Sequence, residues 1–157
     1  MITTIPELDH VRDEARSMVT KRALTSAGAA VVPIPGLDLV ADVGILTSLL
    51  PAISERFGLS EEQVGKMEPG RAQQVLVLAS SLGNNFIGRI VTKRLVVAVL
   101  RRMGVRVAAK SVARYVPLIG SAVAATVSFG AMKLAGNAHI EDCYRTAKAL
   151  LEEPAAA

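Results

Sequence analysis

The chain has no Trp and only 3% aromatic residues. Its core must therefore be aliphatic, and the aromatic belts that anchor many membrane proteins at the lipid–water boundary cannot be built from it. It has one cysteine, Cys143. That excludes an intrachain disulfide and a cysteine zinc cluster, and fits a reducing compartment. No Gly-x-x-x-x-Gly-Lys-Ser/Thr loop is present, and neither Gly36 nor Gly120 is followed by a Lys-Ser/Thr pair, so the chain is not itself a P-loop GTPase. Ser80, Ser81, Ser121 and Ser128 all lack the Gly-x-Ser-x-Gly turn that exposes a nucleophile. The first residues carry acids at Glu7, Asp9, Asp13 and Glu14 before any apolar run. A secretory leader needs a basic start and an early apolar core.

Long uncharged runs are also scarce. Ala23–Leu37, Val43–Ser54 and Ala72–Gly88 all fall short of the roughly 20 apolar residues that a spanning helix needs. Tyr115–Met132 reaches 18 residues but includes Pro117, Gly120, Ser121, Thr126, Ser128 and Gly130. Small residues of this kind suit close helix–helix contact, and the run reads as a buried core helix.

What remains is an oily, basic chain of 157 residues. Hydrophobic residues make up 51%, and the net charge is +4. The mean hydropathy is +0.40 and the pI is near 9.6. That balance permits anionic partners, either nucleic acid or acidic lipid. The length fits one domain, residues 1–157, with residues 1–6 and 153–157 expected as frayed tails.

The chain is organised around Val31-Val32-Pro33-Ile34-Pro35-Gly36. Two prolines fix φ and remove backbone donors, so no helix passes through unbroken. A helix from Glu7 to Ala30 should precede them, with Leu8, Val11, Ala15, Met18, Val19 and Arg22 at helical spacing. A second helix should run from Gly36 toward Phe57, with a kink or early end at Pro51. Gly58 suits the position after a helix, and Ser60-Glu61-Glu62-Gln63 is a capping box that opens a short helix to Lys66. Pro69-Gly70 reads as a turn and Arg71–Leu82 as a helix. Phe86–Arg102 and Val105–Tyr115 read as two more. Val116-Pro117-Leu118-Ile119-Gly120 is a weaker copy of the first break. The last helix is expected from near Gly120 to Glu152, bending near Gly130 or Gly136. The class is all-α: one compact domain of about six or seven helices on two helix–break–helix units. Pro33, Pro35, Gly36, Pro117 and Gly120 are its structural punctuation.

Asp38 and Asp42 are four residues apart and share a helical face. A divalent metal would want more ligands, and His10 and His139 are distant in sequence. The preferred reading is structural: Asp38 favours the helix dipole, and Asp42 pairs with a base among Arg89, Lys93, Arg106, Lys110 and Arg114. Cys143 follows two acids, Glu141 and Asp142, which would raise its pKa. His139, Glu141 and Asp142 read as a solvated face. No catalytic, cofactor or metal site is assigned, and the chain reads as a non-enzyme.

Bases concentrate from Arg89 to Arg114, and Lys93, Arg94, Arg101 and Arg102 bracket the aliphatic run Leu95–Leu100. Nucleic acid is disfavoured, since few polar groups intervene to read bases and only Phe86 and Tyr115 are there to stack. Bases flanking an aliphatic stretch suit an anionic membrane surface, with long side chains reaching up to the headgroups.

Val32–Leu37, Ala41-Asp42-Val43, Phe57-Gly58-Leu59 and Val116–Ser121 through Ser128-Phe129-Gly130 resemble the helical region that follows the GTPase domain in interferon-inducible immunity-related GTPases. They also resemble a bacterial GTPase-associated helical domain of unknown function. The likeness covers about Ala23 to Leu151, is poor from Lys66 to Arg102, and lacks the GTPase domain. It implies a helical accessory module with membrane attachment or GTPase partnership, and carries over no catalytic residue. The expectation is a cytoplasmic, non-enzymatic module, peripheral on the inner membrane's cytoplasmic face and able to oligomerise. The alternative is a soluble regulatory or scaffolding partner of a separate GTPase.

Overall fold

The computed structural model describes residues 2–30, 37–81 and 117–152. Among these the chain is all-helical, with five helices: α1 (Ile5–Ala30), α2 (Leu37–Arg56), α3 (Glu61–Gly65), α4 (Pro69–Ser81) and α5 (Pro117–Glu152). The two further helices expected over 86–102 and 105–115 fall outside the described residues, as do Pro33, Pro35 and Gly36.

Local chemistry accounts for the ends of these helices. Pro6 lies in the first turn of α1, where its missing N–H would have had no helical partner. The Glu7 carboxylate takes the Thr3 N–H at 2.9 Å, and the Glu7 N–H reaches the Thr4 hydroxyl at 3.4 Å. Helix α1 thus begins at Ile5, two residues before its expected start. The same logic corrects two other readings. Pro69-Gly70 is the first turn of α4 rather than a separate turn, and α5 begins at Pro117 rather than near Gly120. Gly120 lies within α5, and α5 is assigned as one helix through Gly130 and Gly136. Helix α2 continues past Pro51 to Arg56 rather than ending there.

Gly58 follows α2 with φ of +73°, a conformation that an L side chain rarely adopts. The Ser60 capping box is complete: Gln63 N–H donates to Ser60 Oγ at 3.3 Å, and Ser60 N–H donates to Gln63 Oε1 at 3.1 Å. Each bond satisfies a helix-end donor that would otherwise be orphaned.

The chain divides into two compact units. The first comprises Met1–Ser17, Leu50–Val91 and Asn137–Ala157. Its aliphatic core includes Leu8, Leu50, Ile53, Leu59, Val75 and Ile140, all at most 2% exposed. Each such side chain contributes roughly 1.5–3 kcal/mol on leaving water. Arg71 of α4 donates to the Leu150 carbonyl in the last turn of α5 at 2.9 Å, satisfying a helix-end acceptor.

The second unit comprises Met18–Leu49 and Thr92–Gly136. Val19, Ala23, Val43, Leu46, Leu49 and Met132 are buried in it. Within this unit α1 and α5 run antiparallel. Gly136 meets Val19, and Lys133 donates to Thr20 at 2.8 Å. Further along α1, Ser26 shares the carboxylate of Asp42 with Ser128, which lies earlier on α5. A Cβ at Gly136 would lie 2.7 Å from both methyl groups of Val19, so only glycine permits this approach.

Candidate functional site

Lys93, Arg94, Arg101 and Arg102, the expected anion-binding bases, lie outside the described residues, as do Arg89, Arg106, Lys110 and Arg114. Asp38 lies in the first turn of α2. Pro117 and Gly120 occupy the first turn of α5.

In the second unit, Asp42 is the acceptor at the centre of a small polar cluster. Ser26 of α1 donates to Oδ1, and Ser128 of α5 donates to Oδ2 at 2.6 Å. Ser26 is fully buried and Ser128 nearly so. The expected partner was a base; the described partners are two hydroxyl groups. Among the described residues this half-buried carboxylate thus has a hydroxyl donor on each oxygen, while the bases expected to pair with it lie outside them. Ser26 and Ser128 were unreadable beforehand, because a serine on a helix resembles any other until its tertiary partner is known.

In the first unit, Ser54, His139 and Cys143 gather where α2 meets α5. His139 Nε2 is 2.9 Å from Ser54 Oγ, 3.2 Å from the Leu50 carbonyl and 3.6 Å from Cys143 Sγ. A carbonyl only accepts, so the contact with Leu50 places the proton on Nε2. With its proton there, that nitrogen cannot also act as base toward Ser54. Burial also lowers the imidazole pKa to about 4, against a smaller upward pull from the Leu50 carbonyl. Cys143 is fully buried, and loss of solvation pushes its thiol pKa up, with Asp142 adding to the rise. The sequence reading had this direction right, but burial is the larger cause. The solvated face expected for His139 is corrected: the ring is 3% exposed. A neutral histidine beside an inert thiol, closed to solvent, is a satisfied core cluster.

The ionic chemistry also lies in the first unit. Glu141 receives Arg12 through two bonds, Nε at 2.9 Å and Nη2 at 2.5 Å, and Arg16 Nη2 at 2.8 Å. Burial alone would raise the Glu141 pKa; the bonds from Arg12 and Arg16 outweigh it and hold the carboxyl low. The Arg12 guanidinium lies 4.6 Å from the centre of the Tyr144 ring. Tyr144 donates to Asp9 at 2.7 Å, which, with some desolvation, raises the phenol pKa. Every ion pair among the described residues belongs to this unit. In the second unit, Lys21 and Arg22 are exposed on α1 and make no ion pair among the described residues.

Among the described residues no three His, Cys, Asp or Glu side chains converge as a metal-ligand set, and no helix is long and apolar enough to cross a membrane. Comparison with protein-family models, with curated protein sequences and with solved structures finds no match to the chain.

Proposed function

We propose that the chain is a non-enzymatic helical module that binds peripherally to an anionic membrane surface on its cytoplasmic face, through the basic segments of its second unit. The observation that carries this reading is the partition of charge. The segments of the second unit hold ten Lys and Arg against two Asp and Glu, a net +8; those of the first hold eight against twelve, a net −4. A net charge of +4 for the whole chain conceals that division. Opposite signs gathered on separate units orient a protein toward an anionic surface far better than the same charges mixed.

Lys93, Arg94, Arg101 and Arg102 hold four of these ten bases and flank Leu95–Leu100. Each base near an acidic leaflet contributes about 1 kcal/mol at moderate ionic strength. Four together decide between binding and release. The resemblance to the helical region of immunity-related GTPases points the same way, toward a membrane-attached accessory module.

The test is co-sedimentation with liposomes containing acidic lipid. Binding should exceed that to neutral liposomes, fall with added salt, and be largely lost when Lys93, Arg94, Arg101 and Arg102 are all replaced by Glu. Equal recovery with acidic and neutral liposomes overturns the reading and favours a soluble partner of a separate GTPase. Resistance to carbonate extraction overturns it from the other side, since a surface-bound protein should be released.

A further inference from the structure

Large apolar side chains exposed on the second unit are few among the described residues: Leu24 at 61% and Leu134 at 56%. Both stand beside a lysine: Lys21, which makes no ion pair among the described residues, and Lys133, which bonds a hydroxyl. On α1, Leu24 comes three residues after Lys21 and four after Thr20, so it neighbours each of them on the helix surface. Thr20 accepts from Lys133 of α5, whose next residue is Leu134. The Thr20–Lys133 bond therefore ties together two short stretches of α1 and α5, each holding an exposed leucine and a lysine.

We infer that Leu24 and Leu134 are the apolar contacts by which the second unit seats in the headgroup region of an anionic bilayer, with Lys21 and Lys133 at the phosphate level. The inference rests on the membrane reading above and adds the depth-reaching residues to it. Charge complementarity selects the occupant: the leucines sit within the segments of net +8, where an acidic lipid surface is attracted and another basic copy of the unit is repelled. Lysine stems lie along apolar surface while the ammonium reaches the headgroups, so adjoining leucine and lysine suit a bilayer interface.

The absence of Trp makes a direct test possible. Leu24→Trp and Leu134→Trp each place a single indole at an exposed site, where the fold need not adjust. Val77→Trp serves as a control, an exposed apolar site (60%) within the net-acidic unit. The probe is a vesicle of phosphatidylcholine and phosphatidylserine with brominated acyl chains. Both leucine-site indoles should shift to shorter emission wavelength and be quenched several-fold more than the Val77→Trp indole. Leu24→Ser with Leu134→Ser should bind these vesicles several-fold more weakly, with an unchanged thermal melt. If the chain binds acidic vesicles but one or both leucine-site indoles stay unquenched, the seat is overturned and the electrostatic reading survives. If the unsubstituted chain does not bind acidic vesicles, both fall together; capture of single-stranded nucleic acid by that non-binding chain would give the bases a different partner.

Discussion

Acidification should destabilise this protein in a window that His139 defines. Its imidazole is 3% exposed, packed against Ser54, Cys143 and the Leu50 carbonyl. In the unfolded chain it titrates near 6.5; in the folded protein burial holds it at about 4. Above pH 6.5 both states are neutral and the histidine contributes nothing to pH dependence. As pH falls from 6.5 toward 4 the unfolded state takes up a proton that the folded state refuses, so stability declines, by up to about 1.4 kcal/mol per pH unit. Below pH 4 both states are protonated and the loss is complete, at about 3 kcal/mol. Other groups overlay this slope. Glu141, held low by its arginines, adds to acid loss; Asp142, raised by desolvation, opposes it. Comparing pH profiles with and without the histidine isolates its share. Urea unfolding from pH 7.5 to 4 should show wild type losing about 3 kcal/mol more than His139→Gln across that range. Parallel profiles for wild type and His139→Gln would refute the claim that folded His139 is neutral and desolvated.

Gly136→Ala should destabilise by about 1–3 kcal/mol, because a Cβ would meet both Val19 methyl groups at 2.7 Å; pairing it with Val19→Ala should recover part of the loss in a double-mutant cycle of melting curves. Asp42→Ala removes the acceptor of two buried serine hydroxyls and should cost about 1–3 kcal/mol, whereas a melt matching wild type would show that Ser26 and Ser128 find other partners. Cys143 should resist thiol reagents in native buffer and react fully in urea, since burial both shields it and keeps it protonated; rapid native labelling would contradict the packing of α5 in the first unit. GTP should not bind at micromolar concentration in calorimetry, for want of a phosphate loop.

The parts of this fold that were legible in the sequence are those governed by local chemistry. The Ser60 capping box, the glycine after α2 and the existence of the long helices α1 and α2 can be read from short-range rules. Two prolines were read too strongly as stops. Pro69 and Pro117 open helices, because the first turn has no use for the missing N–H, whereas Pro51 sits inside a helix as expected, without the early end that was allowed there. The two polar clusters were not legible, because their members are far apart in the chain. Ser128 lies 86 residues from Asp42, and His139 lies 85 from Ser54. His139 also follows Asn137 and precedes Glu141 and Asp142, a polar setting that hides a core position. The charge partition was invisible for a different reason: the units interleave in sequence, so a count along the chain mixes them.

Fractionation of the native protein tests the central claim most directly. The untagged chain, at its natural abundance, is separated into cytosolic and membrane fractions in low salt, in high salt and in carbonate. Peripheral, charge-assisted attachment predicts recovery with membranes at low ionic strength and release by both high salt and carbonate. Recovery in the cytosolic fraction at every ionic strength would contradict it.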